Sequence, residues 1–323
     1  MSNRIFLDNL YPSEYEHPFD REALNRLENT RGIDLVTQKV LDAGLESYLR
    51  IKYTGDNLQI TARTIPEIHS LLVEACKIMG MLEVPELYLH LEDKIQSFSS
   101  GQKRKIIVIS SGAVDLLNDE ELLFLLGREL GHIRSNHVLY REMGDSLTLV
   151  SQIISDLTLG VGNLLSMPIK IALMHWYRMS EFTADRAGLL VCQNPEVASQ
   201  SLIKMAGLPQ KYHGRFSNDE FRRQANAFSE IEVKTFNRFI RFLASYENPQ
   251  PFTVIRGAQL FKWIETGEYD RMLAQASATV RPAKEGLFCH ACGNPIGPND
   301  KFCAECGAEL QPQITPGEPS EPD

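Results

Sequence analysis

Arg128, Glu129 and His132 sit in the run Leu125-Leu126-Gly127-Arg128-Glu129-Leu130-Gly131-His132-Ile133, one residue away from a metal-binding H-E-x-x-H. In an intact motif two His one helical turn apart hold the metal, and the Glu between them polarises a bound water. Here His132 is the remaining candidate ligand and Glu129 the remaining candidate general base. Arg128 occupies the other ligand position. A guanidinium keeps its proton near neutrality and has no lone pair to give a cation. At roughly 5 Å and an effective dielectric of ~20, a dication and a guanidinium repel by about 6–7 kcal/mol, nearly five decades of affinity.

Two more groups have spacing that suits chemistry. Glu181 and Asp185 are four residues apart in Met179-Ser180-Glu181-Phe182-Thr183-Ala184-Asp185-Arg186, so on a helix both carboxylates share a face. Alone they read as a solvated charged face; beside the upstream motif they become a candidate third metal ligand and its supporting acid. Near the C-terminus, Cys289-x-x-Cys292-Gly293 and Cys303-x-x-Cys306-Gly307 form two knuckles separated by ten residues. Four thiolates at this spacing bind zinc tetrahedrally, and a closed four-Cys site has no vacant position, so its role is structural. Cys76 and Cys192 stand apart and read as core residues.

Helices must position the first two groups. Leu122, Leu126, Leu130 and Ile133 recur at helical spacing, and Asn118 with Glu121 three residues on predicts the N-terminal cap. A second helix is predicted over Trp176 to Val191, where Ala184, Ala187 and Gly188 keep the surface small enough for a helix to approach closely. Pro66 opens a helix ended by Gly80. Leu87 to Leu91 and Lys105 to Ser110 read as strands, with Ser99 to Arg104 a turn between them. Leu49 to Thr61 reads as strand–turn–strand around Thr54-Gly55-Asp56-Asn57. Two short helices broken near Arg31-Gly32 follow an irregular arm, and helices are expected over 196–206, 218–245 and around Leu260 to Ile264. If the 128–132 helix continues, His137 lies about 140° round from His132 and faces elsewhere. His90 and His175 are likewise expected to be ordinary His residues.

Composition bounds the class. The 323 residues, 43% hydrophobic and 23% charged, are those of an ordinary globular chain long enough for one large domain and a small one. A net charge of −9 argues against general nucleic-acid or anionic-membrane binding. The apolar stretch 146–174 is interrupted by Asp156, Lys170, two Gly and Pro168. Its uncharged run Leu157 to Ile169 is shorter than the about 20 residues a bilayer needs, so a buried helical excursion is expected and membrane contact is not. The N-terminus carries no signal-peptide pattern, which with clustered Cys points to a cytoplasmic protein. The expected domains are 1–277, a linker 278–287, the ribbon 288–310, and a disordered tail 311–323 with four Pro and three acidic residues among thirteen.

Val114-Asp115-Leu116-Leu117, Glu129-Leu130-Gly131-His132-Ile133 with Asn136-His137, and Met179 to Gly188 together resemble the zinc peptidases that include the CAAX prenyl endopeptidases and the HtpX-type heat-shock peptidases. The likeness is close over 80–195 and weaker over most of 1–275. It implies an α+β, mainly helical gluzincin fold with a small β-sheet. The three zinc ligands fall at Arg128, His132 and Glu181, Glu129 matches the general base, and Asp185 matches the acid that orients a ligand His. The strand Ile106 to Ser110 would match the cleft edge along which substrate lies. The C-terminal knuckles resemble the zinc ribbons that end many bacterial proteins.

Three functions follow. The first is a pseudopeptidase that binds peptides or proteins, Arg128 taking the metal's place by forking onto Glu181 or Asp185. The second is an active zinc endopeptidase using Glu129, His132, Glu181 and a further ligand. The third is a scaffold whose ribbon does the recognition.

Overall fold

The computed structural model describes residues 4–7, 10–157, 162–232, 252–278, 287–288 and 295–296. The chain divides into two compact units, Met1–Ala278 and Thr279–Asp323.

The first unit opens with helices α1 (Pro12–Tyr15), α2 (Pro18–Glu28), α3 (Ile33–Asp42) and α4 (Leu45–Gly55). Gly32 takes a φ of +90°, a left-handed conformation that glycine adopts without steric cost, and it separates α2 from α3 at the predicted break. Strand β1 (Leu58–Ile60) and helix α5 (Pro66–Ile78) follow, then β2 (Glu86–His90), β3 (Ser97–Ser100) and β4 (Ile106–Ser110). The sheet order is β1-β2-β4-β3, with β2 and β4 parallel and both edges antiparallel.

Three sequence readings are corrected here. Residues 49–55 are helix, because Leu45 and Leu49 bury one face of α4 in a helical core and only Leu58–Ile60 reach the sheet. Ser99 and Ser100 belong to a strand, since β3 pairs with β4 and the turn begins at Gly101. The edge of the sheet is therefore β3, and β4 lies inside it with all five residues buried.

The rest of the unit is helical: α6 (Ser111–Leu116), α7 (Asp119–Arg134), α8 (Val138–Asp145), α9 (Leu147–Leu157), α10 (Gly162–Cys192), α11 (Pro195–Met205), α12 (Asn218–Glu232), α13 (Thr253–Glu265) and α14 (Glu268–Ala278). The apolar 146–174 stretch contributes α9 and the start of α10. Among the described residues no helix is long and apolar enough to cross a membrane. Of the expected 218–245 helix, the part beyond 232 lies outside the described residues.

α7 and α10 cross closely, and the sequence shows why. The Asn118 side chain accepts from the Glu121 amide at 3.0 Å while Glu121 accepts from the Asn118 amide at 2.9 Å, so the start of α7 is capped in both directions. A Cβ on Gly131 would fall 2.4 Å from the Ala187 Cβ, and one on Gly188 2.8 Å from Arg128 Cγ. Two apolar clusters meet along α10. One takes Leu122 to Ile133 with Ala187 to Cys192; the other takes Trp176, Met179 and Phe182 with α2 and α3. Cys76 and Cys192 are buried in the first. Glu181 and Asp185 fall where the two clusters join.

In the second unit β5 (Leu287–Phe288) pairs antiparallel with β6 (Pro295–Ile296). Cys289, Cys292, Cys303 and Cys306, and the tail 311–323, lie outside the described residues.

Candidate active site

Helical phase brings Arg128 and His132 to the face of α7 that α10 covers, and the same phase on α10 turns Glu181 and Asp185 back toward them. All five polar residues of this group, Glu129 included, are at most 3% exposed. Arg128 spans both carboxylates. Its Nε donates to Asp185 Oδ1 at 2.8 Å and its Nη2 donates to Glu181 Oε2.

Two arginines that the spacing did not single out complete the network. Arg141, on α8, donates from Nη1 to Glu181 Oε1 at 2.5 Å and from Nη2 to the Tyr177 hydroxyl at 3.1 Å, with its guanidinium 4.3 Å from the Tyr177 ring centre. Arg256, on α13, grips Asp185 bidentately, Nε to Oδ2 at 2.8 Å and Nη2 to Oδ1 at 2.6 Å. Every oxygen of the two carboxylates thus accepts from a guanidinium. Although burial alone would raise it, Arg141 and Arg128 hold the Glu181 carboxyl well below the usual carboxylate range. A signal for Arg256 was present: it is a single charge inside the apolar run Val254-Ile255-Arg256-Gly257-Ala258. Arg141 had no comparable mark, since it reaches the site only through a turn.

That turn overturns the helical projection for His137. α7 stops at Arg134, Asn136 takes a left-handed φ of 55°, and His137 swings back against His132. Their Nδ1 atoms are 3.1 Å apart, one sharing its proton with the other. His137 Nε2 lies 3.2 Å from Asp20 Oδ2, which also accepts from the Thr183 hydroxyl at 2.5 Å. Asp20 is the acid beside His137, while Asp185 pairs with Arg128, which stands where the resemblance implied a ligand His. His90, by contrast, is exposed and meets Asn57 at 2.7 Å, and His175 is half-buried.

Glu129 Oε1 accepts from the Ser97 hydroxyl of β3 at 2.6 Å, while Oε2 is buried without a hydrogen-bond partner. Burial raises the Glu129 carboxyl, against the opposing pull of Arg128 and Arg141. His132 Nε2 is also buried without a hydrogen-bond partner, 3.5 Å from Glu181 Oε1. Burial, then Arg141, pushes the imidazole well below its ordinary value, so it is neutral.

β3 forms one wall of a cleft of about 710 Å³, faced by residues 205–210, with Arg141 and Tyr177 among the lining. Gln96 spends its backbone groups on Ser110, accepting from the Ser110 amide at 2.9 Å and donating to the Ser110 hydroxyl at 2.9 Å. Alternation along the strand then turns the backbone groups of Ile95 and Ser97 away from β4, toward the cleft side.

The profile of Peptidase family M48 matches residues 62–264, more than half of the chain. This chain belongs to peptidase family M48. Its M48 domain is similar to the plastoglobule-localized metallopeptidase 48 of Arabidopsis thaliana chloroplasts, 26% identical over 276 residues covering 84% of this chain and 78% of that protein. The protease HtpX homolog of Persephonella marina is 22% identical over 173 residues, 46% of this chain and 59% of that one. That of Polynucleobacter necessarius is 22% identical over 232 residues, 65% and 78%. A zinc-ribbon domain matches residues 288–310. No solved structure matches the chain.

M48 membership and the ribbon both imply zinc. In the ribbon the donor set fits, since four Cys at knuckle spacing are what a tetrahedral zinc takes; Cys289, Cys292, Cys303 and Cys306 would hold it. In the M48 seat the residues do not fit. Among the described residues no group of three or more His, Cys, Asp and Glu is placed to hold a metal ion, and both oxygens of Glu181 are engaged by guanidinium groups.

Proposed function

We propose that the M48 domain is a pseudopeptidase, an M48 fold that binds extended peptides or unfolded protein segments without hydrolysing them. The observation that carries this reading is the engagement of both Glu181 oxygens by Arg128 and Arg141. A catalytic zinc site needs three lone-pair donors and an open water position; here His132 is the one uncommitted donor among the candidate ligands. The binding half of the machinery is supported by β3, an edge strand whose free backbone groups face a cleft and can pair with a peptide added as a further strand. Ser97 links that strand to Glu129, so the candidate general base serves here to position the cleft wall.

One observation favours the second reading, an active zinc endopeptidase. Glu129 Oε2 and His132 Nε2 are both buried without hydrogen-bond partners, as atoms kept for a metal and its water would be. The two readings part on one assay. The full chain is incubated with reduced casein and excess zinc, beside its Glu129→Gln variant. Casein bound but uncut by both proteins is the expected result. Cleavage by the parent that Glu129→Gln abolishes would establish the active enzyme instead. The Arabidopsis relative is plastoglobule-localized and chloroplastic, whereas for this chain we propose cytoplasmic residence.

A further inference from the structure

The arithmetic of charge at Glu181 goes further than the loss of one ligand. Arg128 reaches Glu181 Oε2 from α7, and Arg141 reaches Oε1 from α8. Each guanidinium carries one permanent positive charge, so together they bring to this carboxylate the +2 that a zinc ion would bring. Asp185 has its own partner in Arg256, held by two bonds of 2.8 and 2.6 Å, and Arg256 Nη1 stands 4.0 Å from Glu181 Oε2 without bonding to it. Removing Arg128 therefore leaves Asp185 paired and Glu181 still occupied.

We propose that Arg141 is a second metal-excluding residue of the M48 seat, which keeps zinc out even when a histidine is restored at position 128. The inference rests on the pseudopeptidase reading above. Arg141 is 3% exposed, stacked on the Tyr177 ring and bonded to its hydroxyl. Swinging clear of an incoming ion, into the cleft it lines, would strip it of its bonds to Glu181 and Tyr177. Staying in place sets a guanidinium beside the dication, at a cost of roughly five decades of affinity for a separation of about 5 Å. Without Arg141 the remaining geometry favours a metal: His132 Nε2 is buried with no hydrogen-bond partner, and Glu181 Oε1 lies 3.5 Å away. The site has thus been converted at two positions on two helices, and reverting either one alone leaves it closed.

The test is zinc per chain in the full protein, read as the increment over the parent so that the ribbon's own ion cancels. The parent is expected to hold one zinc, and Arg128→His and Arg141→Gln one each. Arg128→His/Arg141→Gln is expected to hold two. A second zinc in the parent would defeat the pseudopeptidase reading itself. One zinc in the parent but two in Arg128→His would leave that reading standing and overturn this inference, because Arg128 alone would then be the block. A double variant with native far-ultraviolet dichroism and no added zinc would overturn it as well. Should the double variant fail to fold, the Arg128→His count still decides: one supports Arg141 as the second block, and two refutes it.

Discussion

Arg128, Arg141 and Arg256 set three permanent charges against Glu181 and Asp185, all five side chains buried. These ions are stabilised chiefly by one another, so the network is costly to break at any one point. Arg256→Met removes two of the three guanidinium bonds to Asp185 and is expected to destabilise the protein by about 3 kcal/mol, measured by urea unfolding. Histidines outside this network set the pH response. His17 is buried, accepts from the Phe19 amide at Nδ1 and meets Gln259 at Nε2, and burial drives its pKa down to about 3. In the unfolded chain the same imidazole protonates near 6.5. The unfolded state therefore binds the extra proton first, and the stability present above pH 6.5 is lost as pH falls. The loss attributable to His17 is about 2 kcal/mol between neutrality and pH 5. His17→Asn keeps a cap acceptor without a titrating ring, so its stability should fall less steeply over that range.

At the scale of the elements, the site depends on how closely α7 and α10 approach. Gly131 lies against Ala187, where an added methyl would overlap at 2.4 Å, and neither backbone can retreat without moving His132 or Glu181. Gly131→Ala is expected to cost about 2 kcal/mol, the usual range for overpacking a closed contact, and to lower the thermal midpoint accordingly. The left-handed residue Asn136 is the other local decision. It ends α7 and aims α8 so that His137 and Arg141 both return to the site. Asn136→Gly should be tolerated, whereas Asn136→Val should cost about 1–2 kcal/mol and loosen the Arg141 contact, read as a change in Tyr177 fluorescence or ring exchange.

Across the whole molecule, the apolar clusters that include α7 and α10 draw their buried residues from Leu7 to Tyr269, within the first compact unit. A ribbon of about 20 residues has no such core and depends on its metal. Chelation of zinc is expected to release one ion and leave the helical dichroism of the M48 domain intact. Loss of most helical signal on chelation would mean that a metal also holds the large domain together.

How much of this was legible before folding follows from the range over which each signal acts. The capped α7, the carboxylate pair on α10, the small residues between them and the cysteine knuckles are local patterns, set by the 3.6-residue period and by ligand spacing, and the sequence determined them alone. So did the family. The tertiary structure decided what local periodicity does not encode. Projecting His137 along a continuing helix failed because Asn136 could leave the helical region, and α4 was taken for a strand because its buried face is defined only by the elements packed against it, such as α3 and β3. β3 took the edge because β4 needed two partners. Arg141 and Arg256 lie 40 and 71 residues from the carboxylates they neutralise, and only folding brings such charges within 3 Å of one another. The residue types told us that the metal seat had changed; three-dimensional proximity determined which charges now fill it.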